Sequence, residues 1–448
     1  MKLLLTHGYF LYSDTKELQI MKPYAPLGIL YLSSHLRARG FDVEIYDSTF
    51  GSREELFRIL KDGPPAALGI YGNLITRGNV IDAIAAARAA GWRVIVGGPE
   101  PSNYAEEYLD AGADIVVPGE AEIAVEQLMA TDFDPVAWPG ISGIIFRDAG
   151  GTVVRNSAAQ LLPDLDAQPW PDRERIDIPR YMQTWRQHHG QSSISLITAR
   201  GCPYKCNWCS HSVYGHTHRR RSPPAVAEEV DWLLDRYNPD MLWIADDVFT
   251  IHHGWIFEYA AELKRRRIRI PFECITRADR MNERIAATLK ELGCMRVWIG
   301  SESGSQRILT AMQRGVTVEQ VRRAVGLCKA NGIETGMFLM WGYDGEEIGD
   351  IEATIDHVKQ CRPDVFLTTI SYPIKGTPYF KKVADRVVAA GPWRESTDRE
   401  FRIQGRHSRE FYRHADDLLR SEMAGIPDAA HIAAVREGLA LTSPEAEA

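Results

Sequence analysis

Three cysteines lie within eight residues of the chain, at the spacing CxxxCxxC: Cys202, Cys206 and Cys209. Thiolates gathered on one short loop are ligands for soft metal ions and for iron–sulfur clusters. A four-iron cluster held by three cysteines leaves one iron open to a small molecule. The spacing therefore predicts such a cluster or, as the alternative, a structural zinc ion with His211 or His216 as fourth ligand. The chain has no second Cys/His pair at zinc-ribbon spacing, which favours the cluster.

The composition is that of an ordinary soluble globular protein, with 45% hydrophobic and 25% charged residues. A length of 448 residues leaves room for two or three domains. The net charge of −8 offers no positive field for nucleic acid, and no apolar run approaches the roughly 20 residues of a membrane span. Because seven cysteines cannot all pair and three lie in the loop, we expect a reducing, cytoplasmic setting. The arginine runs 219–221 and 265–267 are interpreted as solvated surfaces.

Residues 1–150 alternate short apolar strands with helices, which predicts a parallel sheet covered on both faces. We expect a flavodoxin-like, and thus Rossmann-like, domain with strand order 2-1-3-4-5, followed by a hairpin over residues 141–155. The predicted strands are Lys2–Thr6, Asp42–Asp47, Ala67–Tyr71, Arg93–Val96 and Asp114–Val117. The predicted helices are Pro26–Arg39, Val80–Ala90, Tyr104–Ala111 and Glu122–Met129.

The loops that follow these strands are rich in glycine. Ligands of such a sheet bind beyond the carboxyl ends of its strands, and glycine lets a large planar ligand approach the backbone. The loop residues proposed for this role are Gly8, Gly72, Asn73, Gly97, Gly98, Pro99, Glu100, Gly119 and Glu120. The alternative is a sheet domain without a cofactor, since strand-to-helix turns are rich in glycine in any case.

Residues 193–390 repeat a strand followed by a helix about six times, after a proline-punctuated linker over residues 151–192. Six units are fewer than the eight of a closed barrel, so we expect a partial, open (β/α)6 barrel of the TIM type. The predicted strands are Ser193–Arg200, Met241–Ala245, Pro271–Arg277, Arg296–Gly300, Thr335–Trp341 and Val365–Tyr372. Residues 391–448 are expected to form a short helical extension, with helices over Glu410–Met423 and Asp428–Leu439.

The cysteine loop and the strand ends together resemble radical S-adenosylmethionine (SAM) enzymes that carry a cobalamin-binding domain. The stretch Arg200–Cys209 is similar to the RGCPYxCxxC motif of that family, with the aromatic Trp208 before the last cysteine. Residues 97–102 and 118–122 are similar to its GGPHPT and GEGE segments. Later strand ends are similar to its DDxFT, GxESGS, GxPGET and YPxxGTP segments, and the resemblance covers roughly residues 20–380.

The resemblance implies that the three cysteines hold a four-iron, four-sulfur cluster whose open iron is chelated by the amino and carboxylate groups of SAM. Reductive cleavage of SAM would then give a deoxyadenosyl radical. The residues that the resemblance places in the SAM site are Tyr204, Trp208, Asp246, Asp247, Arg277, Ser301, Glu302, Ser303 and Gly342.

The resemblance also assigns cobalamin to the loops of the N-terminal domain. The chain departs from the family pattern at Glu100, where histidine is common, and it contains no DxHxxG motif. His7 and His35 are the only histidines before residue 188. We therefore expect cobalamin without a histidine ligand beneath the cobalt.

The leading functional interpretation is C-methylation of an unactivated carbon in a small-molecule or natural-product substrate, with cobalamin as methyl carrier. An external one-electron donor such as flavodoxin or ferredoxin would reduce the cluster. The first alternative is a radical enzyme that forms or contracts a ring or oxidises its substrate without methyl transfer. The second is a regulator that binds metal or cobalamin. A methylthiotransferase is disfavoured, because that group carries a second, N-terminal cysteine triplet and this chain has no cysteine before Cys202.

Overall fold

The structure is a computed structural model that describes residues 1–211, 213–425 and 433. The chain divides into two compact units. The first unit contains Met1–Pro203 and His211–Leu242, and the second contains Tyr204–Ser210 and Trp243–Ala448.

The first sheet has seven strands in the order β2-β1-β3-β4-β5-β6-β7. Strands β1 to β5 are parallel, and β6 and β7 extend the sheet as an antiparallel hairpin. The predicted order and hairpin are therefore confirmed. The strands are β1 (Leu3–His7), β2 (Val43–Ile45), β3 (Ala67–Tyr71), β4 (Arg93–Gly97), β5 (Ile115–Val117), β6 (Ile145–Arg147) and β7 (Val153–Arg155).

Helices with buried apolar residues pack on this sheet. The helices before the hairpin are α1 (Thr15–Ile20), α2 (Leu27–Arg37), α3 (Arg53–Asp62), α4 (Arg77–Ala89), α5 (Ala105–Asp110) and α6 (Glu122–Ala130). Helices α2, α4, α5 and α6 confirm the four that were predicted, whereas α1 and α3 were not predicted. The next helix, α7 (Ile178–His189), lies in the segment predicted to be a linker. The Asp177 side chain caps its first turn by accepting from the Arg180 N–H, and Gly190 ends it with φ of +75°.

The second sheet has six strands in the order β15-β14-β13-β12-β11-β8, which confirms the predicted partial barrel. The pairs between neighbours from β12 to β15 are parallel. The strands of this half of the chain are β8 (Ser193–Leu196), β9 (Ala199–Arg200), β10 (Arg219–Arg220), β11 (Met241–Ile244), β12 (Phe272–Thr276), β13 (Cys294–Glu302), β14 (Glu334–Trp341), β15 (Val365–Ile370), β16 (Val387–Val388) and β17 (Arg402–Ile403). The helices are α8 (Pro223–Tyr237), α9 (His253–Arg266), α10 (Glu283–Leu292), α11 (Gln306–Ala311), α12 (Val318–Ala330), α13 (Ile348–Cys361), α14 (Pro378–Val383) and α15 (Arg409–Met423).

The predicted strand Ser193–Arg200 is interrupted, and its last two residues form the separate strand β9, which pairs antiparallel with β10. The interruption is stabilised by Arg221, whose N–H donates to the Thr198 carbonyl at 3.0 Å and whose side chain forms a buried ion pair with Glu229. The interpretation of residues 219–221 as a solvated surface is therefore wrong, because their side chains make ion pairs and strand contacts.

Helix α15 confirms the first predicted helix of the C-terminal extension. The second, Asp428–Leu439, lies outside the described residues except for Ala433. Within the part of the chain that the structure describes, no helix is both long enough and apolar enough to cross a lipid bilayer.

Candidate functional site

The cysteine loop begins directly after β9. Gly201 opens it with φ of +86°, and a Cβ atom there would collide with the Thr217 carbonyl, so the position requires glycine. Cys206 is buried, whereas Cys202 and Cys209 are partly exposed. The Cys209 N–H donates to the Cys206 carbonyl at 3.3 Å, which folds the second half of the loop into a turn.

Asn207, between two of the cysteines, anchors the loop. Its Nδ2 donates to the Ala311 carbonyl at 2.8 Å, and its Oδ1 accepts from the Tyr343 hydroxyl at 2.9 Å. Its backbone N–H donates to the Met312 carbonyl at 3.1 Å, and its carbonyl accepts from the Tyr379 N–H at 2.9 Å. Sequence reasoning missed Asn207, because a residue between two ligands carries no signal of its own partners.

Two buried arginines contact the sulfur of Cys206. Nη1 of Arg277 lies 3.8 Å from Sγ, and Nη1 of Arg314 lies 3.6 Å from it. Their side chains are only 3% and 8% exposed, respectively. Arg277 follows β12, and Arg314 lies between α11 and α12. Arg314 is absent from the predicted site residues, since no motif marks it.

Arg277 is a predicted SAM residue, and the structure shows how its donors are distributed. Nε donates to Asp279 at 2.9 Å, and Nη2 donates to the carbonyl of Arg314 at 3.0 Å. The guanidinium also stacks on Tyr204, with 3.6 Å between its carbon and the ring centroid. Tyr204, a second predicted SAM residue, therefore supports Arg277.

Glu302 ends β13 with an irregular backbone. Its φ is +64°, and the register with β14 shifts between Gly300 and Glu302. Its carboxylate oxygen Oε1 lies 3.7 Å from Nε of Arg314. Burial raises the pKa of the Glu302 carboxyl. This carboxyl group thus lies beside an arginine that contacts a cysteine of the loop.

The serines on either side of Glu302 make contacts with α13. Oγ of Ser301 lies 3.1 Å from Nε2 of His357, and Oγ of Ser303 lies 3.1 Å from Oγ1 of Thr354. Burial lowers the pKa of His357 to about 4, so its imidazole is neutral at physiological pH. The predicted SAM contacts of Ser301 and Ser303 stay predictions, and their hydroxyl groups already bind within the fold.

The remaining predicted SAM residues all lie in the second unit. Asp246 is buried and Asp247 is exposed, directly after β11. Trp208 packs against an apolar cluster that includes Tyr379. Gly342 has φ of +73°, and a Cβ atom there would lie 2.8 Å from the Tyr412 ring.

The first unit contains a cavity of about 530 Å³. Strand residues Leu3, Leu5, Gly69 and Ile95 form one part of its lining, and loops at the carboxyl ends of the strands form another. Five of the nine predicted loop residues line it: Asn73, Gly97, Gly98, Gly119 and Glu120. A largely apolar cavity of this size, lined by a few polar groups, is typical of a small-molecule site.

The other predicted loop residues are not among those that line the cavity. Glu100 is buried, forms an ion pair with Arg77 and accepts from the Tyr108 hydroxyl at 2.5 Å. The Gly72 N–H donates to the Gly97 carbonyl at 2.8 Å, which holds two of the loops together. Gly8 and Pro99 also do not line the cavity.

Arg200 lines the cavity and was not among the predicted site residues. Its guanidinium lies between the rings of Tyr31 and Tyr214, 5.1 and 5.6 Å from their centroids. Nη1 lies 2.8 Å from Glu122 and 3.4 Å from Glu120. The buried hydroxyl of Tyr31, which also lines the cavity, has no hydrogen-bond partner among the described residues.

The two N-terminal histidines are bound within the fold. Nε2 of His7 lies 3.0 Å from Asp47, and its Nδ1 lies 3.0 Å from Oγ of Ser48. His35 is held in the same way, with Nδ1 at 3.0 Å from Oε1 of Gln168 and Nε2 at 2.8 Å from Oε2 of Glu126. Both imidazoles are buried.

Two family models match the chain in separate regions. Residues 20–129 match the B12 binding domain, and residues 196–358 match the radical SAM superfamily. The chain is a radical SAM enzyme with a B12-binding domain. The resemblance found in the sequence is thereby confirmed.

Relatives of this radical SAM enzyme include a protein of Pyrococcus horikoshii described as an uncharacterized methyltransferase. The two are 29% identical over 388 residues, which cover 83% of this chain and 81% of that protein. The anaerobic magnesium-protoporphyrin IX monomethyl ester cyclase of Synechocystis is 25% identical over 378 residues, covering 81% of this chain and 74% of the cyclase.

The fold is shared with a solved structure of TsrM, a radical SAM methyltransferase from Kitasatospora setae with cobalamin and a four-iron cluster bound. The TM-score is 0.71 at 20% identity, over 88% of this chain and 76% of TsrM.

The cysteine loop of this radical SAM enzyme has the donor set that a four-iron cluster needs. The three thiols are free of disulfides, and Cys206 faces two cationic donors that compensate thiolate charge. Across the described residues, no three His, Cys, Asp or Glu side chains are grouped as ligands of a single metal ion. This absence includes the three cysteines of the loop and therefore does not distinguish a zinc ion from a cluster.

Proposed function

We propose that this enzyme methylates an unactivated carbon of a small-molecule substrate with the help of cobalamin. The observation that carries the proposal is the cavity in the B12-binding domain, because SAM cleavage by the cluster alone requires no such space. When bound, the cluster supplies the electron that cleaves SAM, and cobalamin supplies the methyl group.

The lining of the cavity suits cobalamin. Its apolar part, with Leu5 and Ile95 beside Gly69, suits a flat aromatic base. The backbone of Gly97 and Gly98 has no side chain to keep a corrin away. Tyr31 adds a hydroxyl that has no hydrogen-bond partner among the described residues.

We propose that the cobalt has no histidine ligand from this chain's N-terminal domain. Both ring nitrogens of His7 lie within hydrogen-bond distance of protein oxygens, and so do both ring nitrogens of His35. Release of either ring would break the two contacts that hold it, each worth about 0.5–1.5 kcal/mol.

On the SAM side, we propose that Cys202, Cys206 and Cys209 hold the cluster and that Glu302 with Asp246 or Asp247 binds the amino group or ribose of SAM. The remaining predicted SAM residues would shape the same site. The electron would come from an external donor such as flavodoxin or ferredoxin.

A ring-forming activity is the second candidate. It is favoured by the similarity to the Synechocystis cyclase over 81% of this chain. Methyl transfer is preferred because the methyltransferase relative is more similar and its match covers more of both proteins.

The test uses full-length protein, reconstituted anaerobically with iron, sulfide and cobalamin and then incubated with SAM carrying a deuterated methyl group and a strong reductant. We expect deoxyadenosine and appearance of the labelled methyl group on cobalamin. The triple variant Cys202→Ala, Cys206→Ala, Cys209→Ala should lose the brown colour of the iron–sulfur cluster and should no longer cleave SAM. The control variant Cys328→Ala, which alters a buried core thiol, should keep its iron.

Two outcomes separate the alternatives. Deoxyadenosine without cobalamin uptake would overturn methyl transfer and leave the ring-forming or oxidising reactions. A triple variant that keeps an intact four-iron cluster would overturn the assignment of the cysteine loop.

A further inference from the structure

The two arginine contacts on Cys206 come from separate elements and converge on one sulfur atom. Arg277 follows β12, and Arg314 follows α11, yet each presents Nη1 to Sγ, at 3.8 and 3.6 Å. Distances of this length are those of N–H···S hydrogen bonds. Cys206 is 9% exposed, so the contacts lie in a region from which water is largely excluded.

Both guanidinium groups are fixed by further hydrogen bonds. Nη2 of Arg314 donates to the Gly300 carbonyl at 3.0 Å. Nη2 of Arg277 donates to the Arg314 carbonyl at 3.0 Å, and its Nε donates to Asp279 at 2.9 Å. Because the planar guanidinium cannot rotate without breaking these bonds, each Nη1 is held toward the sulfur.

Two carboxylates compensate part of the positive charge of the arginines beside Sγ of Cys206. Asp279 pairs with Nε of Arg277, and Glu302 lies 3.7 Å from Nε of Arg314. Both carboxylates thus approach the Nε edge of an arginine, while the Nη1 donors face Sγ. Burial raises the pKa of the Glu302 carboxyl, whereas the neighbouring Arg314 and Arg277 lower it.

Hydrogen bonds and positive charge at a ligating thiolate stabilise the reduced form of an iron–sulfur cluster, because they draw electron density away from the iron. The effect is strong where the local dielectric constant is low. Cluster reduction adds one electron and breaks no bond. The electron comes from the external one-electron donor of the proposed function.

We infer that Arg277 and Arg314 set the reduction potential of the cluster through their two hydrogen bonds to Cys206. They are tuning residues that act through a cluster ligand and need not touch SAM. This inference rests on the cluster assignment in the proposed function and is independent of methyl transfer and of cobalamin.

The experiment is a redox titration of the reconstituted full-length protein without SAM, with the reduced cluster followed by electron paramagnetic resonance. Arg314→Gln removes the positive charge. Arg314→Lys keeps the positive charge but replaces the planar guanidinium with a single ammonium group. In Arg314→Gln we expect at least a tenfold smaller ratio of reduced to oxidised cluster at a fixed applied potential, which equals a shift of 59 mV toward lower potential. Arg314→Lys should shift less, and Arg277→Gln should shift in the same direction.

The matched control is Arg307→Gln. Arg307 lies on α11, is 54% exposed and pairs with Asp350, so its loss should leave the potential unchanged. Iron and sulfide analysis accompanies every titration and shows whether a variant holds an intact cluster. If Arg314→Gln does not hold an intact cluster, the reduction potentials of Arg314→Lys and Arg277→Gln test the inference.

The inference is overturned if variants with intact clusters at both positions keep the wild-type potential. A shift of equal size in Arg307→Gln would also overturn it, because the change would then reflect general charge. If the wild-type protein itself takes up no four-iron cluster, the proposed function fails together with the inference. Normal iron content with unchanged potentials in the variants defeats the inference alone.

Discussion

The hydroxyl of Tyr343 donates to Oδ1 of Asn207 across 2.9 Å, and both side chains are buried. Tyr343 lies two residues beyond the end of β14, whereas Asn207 lies between two cysteines of the loop. The position of the cysteine loop therefore depends on the end of a barrel strand far away in the sequence.

Asn207→Ala should lower the free energy of unfolding by about 1–3 kcal/mol, because it removes two side-chain hydrogen bonds, one to the Ala311 carbonyl and one from the buried Tyr343 hydroxyl. We also expect less iron to be retained after gel filtration. Urea unfolding and iron analysis measure the two effects. The control Asn331→Ala removes one side-chain bond at the end of α12 and should keep its iron. Full iron retention in Asn207→Ala would show that the loop does not need this anchor.

Glu302→Ala should weaken SAM binding by about 1–3 kcal/mol, the scale of a lost hydrogen bond that leaves a polar group unpaired. Equilibrium dialysis of labelled SAM with the oxidised, reconstituted protein measures the affinity. Glu319→Ala, on the exposed start of α12, provides the control. Unchanged affinity in Glu302→Ala would remove Glu302 from the SAM site.

Gly28→Leu should reduce cobalamin affinity at least tenfold, about 1.4 kcal/mol, because it places a side chain at the wall of the cavity. Gly78→Leu is a close control. Each glycine is the second residue of its helix, is exposed, and has no atom within 4 Å of a built Cβ, but only Gly28 lines the cavity. Absorbance after reconstitution and desalting gives the bound cobalamin. Equal uptake by the two variants would place cobalamin elsewhere.

The cob(II)alamin form should show no nitrogen splitting from His7 or His35 in electron paramagnetic resonance. The reason is that both imidazoles already bind protein oxygens. The double variant His7→Ala, His35→Ala should give the same spectrum as the wild type. Nitrogen splitting that disappears when either histidine is replaced would show that this histidine binds the cobalt.

Glu346 should make the protein less stable as the pH rises. Burial raises its pKa from 4.5 to about 8, so the folded state holds a proton that the unfolded state releases. Its contribution is therefore full below pH 4.5 and falls as the pH rises toward 8. Oε1 has no hydrogen-bond partner among the described residues, while Oε2 accepts from the Gly342 N–H at 2.5 Å.

The measurement compares unfolding midpoints of wild type and Glu346→Gln at pH 5 and pH 8. The variant should lose less stability over this interval than the wild type, because its amide does not titrate. Glu352→Gln, at an exposed position of α13, should behave like the wild type. Identical pH profiles for Glu346→Gln and the wild type would mean that Glu346 is already ionised at pH 5.

The sheet order, the six strands of the partial barrel and the cysteine loop were predictable because their signals are local: apolar runs, glycine turns and ligand spacing. Helix α7 had local signals as well, with Asp177 as N-cap and Gly190 after its last residue. The prolines of the preceding segment led to its interpretation as linker. The two-residue pairing of β9 with β10 was not predictable, because it joins residues 19 or more positions apart.

The buried arginines of both units were the main features beyond reach of the sequence. Arg200, Arg221 and Arg314 are each at most 9% exposed, yet arginine is an ordinary surface residue by type. Their burial depends on distant partners, and no short motif specifies such a pairing. The left-handed backbone conformation of Glu302 could not be predicted from the sequence either, because residues other than glycine rarely adopt this conformation.

Arg200 belongs to the wall of the cavity, and the first cysteine of the loop follows it by two residues. Consecutive Cα atoms are 3.8 Å apart, so the Cα atoms of Arg200 and Cys202 are never separated by more than about 7.6 Å. The backbone is thus a tether of fixed maximal length. The cavity wall at Arg200 and the first cysteine of the loop are therefore joined by a stretch of backbone that limits how far either residue can move without the other.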